Sequence, residues 1–359
     1  MKTTASLLIT GLLAVHPAMA SVTFTTFVTG SSLIAGMGQE DTIAFNYAGN
    51  KFVGSVYVNG ANNRQLYSTD LTGGSVQPFG VPLPEGSGEV VVGASLGRGG
   101  YPTGDIYSSA ENIGNIYHYS NAGGAPALFA SLPSGAGGIK QIFFDPGSGF
   151  GGNMLVSTSS GGIYKVTSAG VVTQLANIGF LAEGMDIASS NYGQYAGQLL
   201  VASESSQQVY AIKADGTVKQ LNLRDGSGNP TSIQLAETVS TVPLNLGASG
   251  NPLEGFYVAN FATDIQKAGA GQFTGYLGDT IVTSELGSNS PLWDLHYNGD
   301  SLDTFTVTQI GTLPGQSEDG IFVTAERIAD VTTPEPASLT LIGVGVAALA
   351  GIRRRRRRG

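Results

Sequence analysis

Past residue 40 the chain alternates short apolar-rich runs with glycine-rich breaks, and within the runs the period is the two residues of a β-strand. The clearest stretch is residues 183–223, EGMDIASSNYGQYAGQLLVASESSQQVYAIKADGTVKQLNL. It divides into four strands, GMDIAS, QLLVASE, QVYAIKA and TVKQLNL, and Asp215-Gly216 between the last two is a strong hairpin signal. Residues 138–178 repeat the order: a strand, a Gly-rich loop, an LVS strand, an IYKV strand, an Ala-Gly turn and VVTQL. Looser copies begin at Glu40, Gly88 (GEVVVGAS) and Glu254 (EGFYVANF), and a last first strand, EDGIFVTAE, begins at Glu318 without partners of its own. The starts fall near residues 40, 88, 138, 183, 254 and 318, the first four spaced by 45 to 50. No stretch holds a helical period for long.

A four-stranded unit at this period predicts an all-β chain, a β-propeller of about six blades of four-stranded antiparallel sheets. One blade cannot bury both faces, so blades must pack around an axis. The strand at Glu318 needs partners, and residues 22–29 (VTFTTFVT) are a spare strand at the other end. Both termini are therefore expected to build the last blade. A β-sandwich or solenoid of the same strands is the alternative. The spacing and the IY-type third strands resemble the NHL-like and gluconolactonase-like six-bladed propellers.

The two ends follow other rules. Residues 1–20 carry a basic Lys2, a short apolar run and Ala18-Met19-Ala20, an A-x-A cleavage pattern with Ala18 and Ala20 as its small residues. This predicts a cleaved secretory signal peptide. At the other end stand Pro334, Glu335 and Pro336, an uncharged stretch at 337–352, and then Arg353, Arg354, Arg355, Arg356, Arg357 and Arg358. As a helix rising about 1.5 Å per residue the stretch spans roughly 24 Å, short of a hydrocarbon core of about 30 Å. Snorkelling arginines can make up the difference and hold their end cytoplasmic. An ordinary C-terminal anchor would read similarly. The ordered Pro-Glu-Pro, short span and Arg cluster resemble the PEP-CTERM domain of exosortase substrates. That resemblance implies processing by exosortase near Pro-Glu-Pro, anchoring at the inner membrane before the cut, and a cell surface or matrix with exopolysaccharide and envelope proteins as partners. The domains expected are thus a signal peptide at 1–20, the propeller at 21–332 and the sorting signal at 333–359.

Composition narrows the body. Without cysteine there are no disulfides, thiol chemistry or iron–sulfur clusters. Setting aside Lys2, Glu335 and the terminal arginines leaves 10 basic and 25 acidic residues, a net charge of about −15. That argues against nucleic acid or an anionic membrane surface as a partner of the body. The chemistry-bearing motifs are weak. Gly93-Ala94-Ser95-Leu96-Gly97 matches GxSxG, but Arg98-Gly99-Gly100-Tyr101-Pro102 cannot start the helix that a nucleophile elbow needs. Gly147, Gly149 and Gly152 match GxGxxG between two strands, where no helix N-terminus can cradle phosphate. His118 and His296 sit in third strands and read as strand positions rather than zinc ligands.

Carboxylates recur at the expected blade starts: Glu40, Glu89, Glu183, Glu254 and Glu318. First strands line a propeller's channel, so several would gather near one mouth, where oxygen ligands could hold Ca²⁺, the candidate cofactor. Glu183-Gly184 and Glu254-Gly255 resemble the Glu-Gly at a metal-ligand position of gluconolactonase-like propellers, which implies metal ligation by Glu183 and Glu254; Glu318, at another blade start, is the third candidate ligand. Strand-end glutamates facing water are the alternative. No catalytic residue is assigned. The expected role is an exported protein that binds or scaffolds. The alternative is a propeller enzyme, a lactonase or a polysaccharide lyase or hydrolase with an acidic channel. Convergent carboxylates with a basic residue in the channel would favour the enzyme; a channel filled by apolar or hydroxyl side chains would favour the scaffold.

Overall fold

The alternating runs form strands, and the glycine-rich breaks let the chain reverse between them. The computed structural model describes residues 21–57 and 64–332. The chain enters with β1 (Thr25–Val28) and helix α1 (Gly30–Met37). Thr29 caps α1, its Oγ accepting the Ser32 N–H at 3.1 Å, and Gly38 ends the helix at φ 76°. The first blade is β2 (Thr42–Tyr47), β3 (Phe52–Val56), β4 (Leu66–Thr69) and β5 (Gln77–Phe79). The second is β6 (Val90–Ala94), β7 (Ile106–Ala110), β8 (Asn115–Ser120) and β9 (Gly123–Ser131). The third is β10 (Ile139–Phe144), β11 (Met154–Thr158), β12 (Gly162–Val166) and β13 (Val172–Asn177). The fourth is β14 (Met185–Ile187), β15 (Leu199–Ser203), β16 (Gln208–Ile212) and β17 (Val218–Gln220).

The last two blades exchange strands. β18 (Asn222–Arg224) crosses to the outer edge of the fifth blade, and β19 (Ala236–Thr241) is that blade's innermost strand. The chain then lays β20 (Gly255–Phe261) and β21 (Asp264–Gly269) into the sixth blade before returning with β22 (Thr280–Ser284), β23 (Ser290–Tyr297) and β24 (Thr304–Leu313). β25 (Gln316–Val323) is the inner strand of the sixth blade, whose order is β25-β20-β21-β1, and helix α2 (Ala325–Thr332) follows it. The N-terminal strand thus completes the last blade, as the orphan strand at Glu318 required.

One assignment is corrected. EGFYVANF is a second strand of the sixth blade, hydrogen-bonded to β21 on one side and β25 on the other. Phe256, Tyr257, Val258 and Ala259 are fully buried there. The inner strand of the fifth blade is the hydroxyl-rich AETVST, which shows no clear apolar alternation in the sequence.

β2, β6, β10, β14, β19 and β25 touch one another in turn, and β25 returns to β2, so the six inner strands line a central channel. The core lies between adjacent blades. Leu155 and Ile163 of the third blade, for example, pack with Met185, Leu199 and Val201 of the fourth. The closing interface joins Phe45 and Phe52 of the first blade to Tyr257 and Ile321 of the sixth, with Leu33 of α1 and Phe27 of β1 added.

Candidate functional site

Inner strands of neighbouring blades share no sheet ladder, so polar side chains in the channel wall tie them instead. Asn46 Nδ2 donates to the Val92 carbonyl at 3.4 Å, Gln141 Oε1 accepts the Met185 N–H at 2.5 Å and Asp186 Oδ2 accepts the Thr241 N–H at 2.8 Å. Ser240 Oγ donates to the Gly320 carbonyl at 2.9 Å, and Asp319 Oδ2 accepts the Phe45 N–H at 3.1 Å. Between the second and third blades close packing takes over. A Cβ on Gly93 would stand 2.6 Å from Ile142 Cγ2 and 2.7 Å from its carbonyl oxygen.

At one end of the channel carboxylates gather around Lys140. Its ammonium bonds Glu111 and lies 3.2 Å from Glu183 Oε1. Glu89, Glu237 and Glu318 line the same place, and Glu285 meets Glu318 through Gln316, whose Nε2 bonds both and reaches Glu318 Oε1 at 2.6 Å. Burial pushes the carboxyls of Glu183, Glu237, Glu285 and Glu318 up, and mutual repulsion adds to it: Glu183 acts on Glu237, and Glu89 and Glu285 act on Glu318. Burial alone would lower the Lys140 ammonium, but attraction to Glu183 and Glu111 outweighs it and holds the proton. The space beside these groups is about 30 Å³, enough for a water or two.

The other half of the channel holds a cavity of about 250 Å³. Asp186 and Asp319 reach into it from the wall, with Asn46, Arg98 and, from the first turn of α2, Arg327. Asp186 also accepts the Ile187 N–H at 2.7 Å and Asp319 the Gly320 N–H at 2.8 Å. Enclosure raises Asp186 to about 6 and Asp319 to about 7, against the pull of these N–H donors and of Arg327. Asn46 Oδ1 is buried there without a partner.

Glu183 and Glu318 line the same end of the channel, but Glu254 does not join them. Gly255 pairs with Val323, at the far end of β25 from Glu318. Five residues at about 3.4 Å each put Gly255 roughly 17 Å from Glu318 along the strand, and Glu254 lies one residue further still. The Glu254 carboxylate is spent on a loop, accepting the Gly247 N–H at 2.9 Å and the Ser249 hydroxyl. The glycine of Glu183-Gly184 serves packing: a Cβ there would lie 2.6 Å from the Glu237 carbonyl oxygen. The donor set does not fit Ca²⁺. Among the described residues no three carboxylates or histidines are arranged to hold a metal ion, and the Lys140 ammonium already stands between Glu111 and Glu183. Of the other motifs, Ser95 lies in a turn with its Oγ accepting the Gly97 N–H at 3.2 Å. The Gly147–Gly152 loop joins β10 to β11 around Asp145, which accepts the N–H of Ser148 and of Gly152 at 2.8 Å each. His118 is held by Asp105 at 2.7 Å and stacks on Tyr107.

Sequence reasoning missed Glu237, Lys140, Asp186 and Asp319. Asp186 in GMDIAS and Asp319 in EDGIF did carry a signal, a charge set inside an otherwise apolar inner strand. Glu237 was hidden because its strand was not recognised.

The body is therefore a six-bladed β-propeller. Its C-terminus carries a second identity: residues 332–357 match the PEP-CTERM protein-sorting motif. The motif marks an exported protein sorted by exosortase, with a membrane-anchored C-terminal sorting signal. Apart from its first residue it lies outside the described residues, as do Ala18 and Ala20, the stretch at 337–352 and the Arg block. No helix of the described residues is long and apolar enough to cross a membrane. No curated protein matches the chain significantly. Among solved structures, a structural-genomics candidate gluconolactonase is 10% identical with a TM-score of 0.48, over 84% of each chain. Virginiamycin B lyase from Staphylococcus aureus is 11% identical with a TM-score of 0.45, over 80% of this chain and 88% of that one. Likenesses this distant leave ligand and chemistry to be argued from the chain's own residues.

Proposed function

We propose that residues 1–20 direct export and that 337–352 hold the chain in the inner membrane with Arg353–Arg358 on the cytoplasmic side. Exosortase then cuts near Pro334-Glu335-Pro336 and delivers the propeller to the cell surface or matrix. There it binds or scaffolds exopolysaccharide or envelope proteins. The observation that carries the non-catalytic reading is how the channel spends its polar groups. They tie blade to blade or neutralise Lys140, beside a space of about 30 Å³ that admits no substrate.

An enzyme is the second reading, and convergent carboxylates around Lys140 are the arrangement that favours it. The cavity at the other end supports it further. Asp186 at about 6 and Asp319 at about 7 titrate near neutrality, as a general acid and base must. Its volume of about 250 Å³ is just below the usual ligand pocket of about 300–1,000 Å³. Two measurements on protein from its native host decide. Mass spectrometry should find a C-terminus near Pro336; an intact Arg block on the surface form removes the sorting reading. Incubation with host exopolysaccharide should give a complex and no shortening of the polymer. New reducing or unsaturated ends, lost in Asp186→Asn or Asp319→Asn, would establish the enzyme.

A further inference from the structure

A groove of about 970 Å³ lies away from the channel, on the outer part of the fifth blade. Its floor is the face of β23 and β24 where Asp294 stands opposite Thr308 and His296 opposite Thr306. Tyr276 and Asp279, from the segment leading into β22, form a wall. Asp279 holds His296 Nδ1 at 2.9 and 3.1 Å, and this contact, with the field of Asp294, raises the imidazole so that it keeps a proton more readily.

Asp294 does not fit a purely structural account. It is only 7% exposed, it lines the groove, and its buried Oδ1 has no hydrogen-bond partner. Burial and the neighbouring Asp279 push its carboxyl up to about 8. A buried carboxyl oxygen left unmet carries a desolvation penalty, which a ligand can relieve.

The chemistry of the groove narrows that ligand. No lysine or arginine lines it, and the imidazole of His296 is already paired with Asp279 beside Asp294, so the groove disfavours an anion. Among the described residues no three histidines or carboxylates are arranged for a metal ion, and His296 is engaged by Asp279. Besides Ile310, Gly226, Gly275 and Gly311, the rest of the lining is hydroxyl and amide, including Thr312, Gln309 and Asn298. Such a surface recognises groups that donate and accept at once, and hydroxyls do both. From the unmet Asp294 oxygen in a hydroxyl-lined groove we infer that this groove is a binding site for a neutral polyhydroxylated ligand, a segment of carbohydrate chain, with Asp294 and the His296–Asp279 pair as its fixed polar contacts. The assignment rests on the reading of the propeller as a polymer binder and gives that reading a place on the molecule.

The test is binding of the exported protein to immobilised oligosaccharides of three kinds: neutral glucans and mannans, amino sugars, and uronates. Binding to neutral members is expected, with a loss of at least tenfold in Asp294→Asn. Thr308→Lys, at an exposed position, should give the same loss without disturbing the buried face. Binding that both variants leave unchanged overturns the groove but spares the binder reading. Binding only to amino sugars or uronates overturns the ligand class. No binding to any array member overturns both.

Discussion

Asp319 Oδ2 accepts the backbone N–H of Phe45 at 3.1 Å, a bond between residues 274 positions apart that joins the last inner strand of the ring to the first. Its other oxygen accepts the Gly320 N–H at 2.8 Å, so the carboxyl is held at both ends. Asp186 repeats the arrangement two blade interfaces earlier, between the fourth and fifth blades. These acids are the circumferential counterpart of the sheet ladders, which run radially; beside them the Gly184 N–H donates to the Glu237 carbonyl at 2.8 Å between the fourth and fifth blades.

Replacing Asp319 with Ala leaves the Phe45 N–H without its acceptor. The expected loss is about 1–3 kcal/mol of unfolding free energy, from denaturant melts. Asp319→Asn keeps an acceptor oxygen and should lose less. Equal stability of Asp319→Ala and wild type would show that the contact closes nothing.

Deleting residues 21–30 removes β1 and exposes the edge of β21. Val22 and Val28 are buried in the intact chain, and burial of such a side chain is worth about 1.5–3 kcal/mol each. The melting temperature should fall by many degrees and the protein should aggregate more readily through the open edge. An unchanged melt would reduce β1 to a passive terminus.

The propeller was legible because its blades repeat one apolar alternation, clearest in 138–178 and 183–223, and because the strand at Glu318 lacked partners. The fifth and sixth blades were misassigned for a physical reason. Strand order in space departs from chain order there, and local periodicity carries no information about which sheet a strand joins. Lys140 and Glu237 escaped with it, since what makes them matter is convergence across blades. The groove at Asp294 was not legible at all: its aspartates and histidine come from β23 and from the segment before β22, and the unmet oxygen is a property of packing.

Lys140 is the cation that the buried carboxylates require. Lys140→Met leaves Glu183 enclosed without its partner, and at a pH where the pair is ionised breaking it costs about 3–5 kcal/mol. Adding Glu183→Gln should recover part of that loss, a coupling that a double-mutant cycle reads directly. Because the ammonium holds the cation's place, thermal melts of the wild type in millimolar Ca²⁺ and in chelator should coincide. A calcium-dependent melt abolished by Glu183→Gln would restore the metal site.

Stability should fall as pH rises from mildly acid to alkaline. Asp319 is raised to about 7 and Asp294 to about 8, and Glu183, Glu237 and Glu318 are raised by burial and by one another. In the unfolded chain such groups lose their protons near pH 4. Between there and their folded values the native state binds more protons than the unfolded state, so their contribution is complete at pH 4 and is lost as pH climbs through about 7–8. The Lys140 ammonium, held above its ordinary value, does not titrate in this window. Asp70, Asp215, Asp225 and Asp300 act in the other direction: hydrogen bonds lower them, so their contribution disappears only as pH falls below the ordinary carboxyl range. The melting temperature should therefore peak near pH 5 and decline towards pH 9. Glu237→Gln, an uncharged amide where Glu183 and Glu318 both repel the carboxylate, should flatten that decline and melt higher than wild type at pH 9. A melting temperature that rises from pH 5 to pH 9, or a slope that Glu237→Gln leaves intact, would mean that these carboxyls keep their charge in the folded channel.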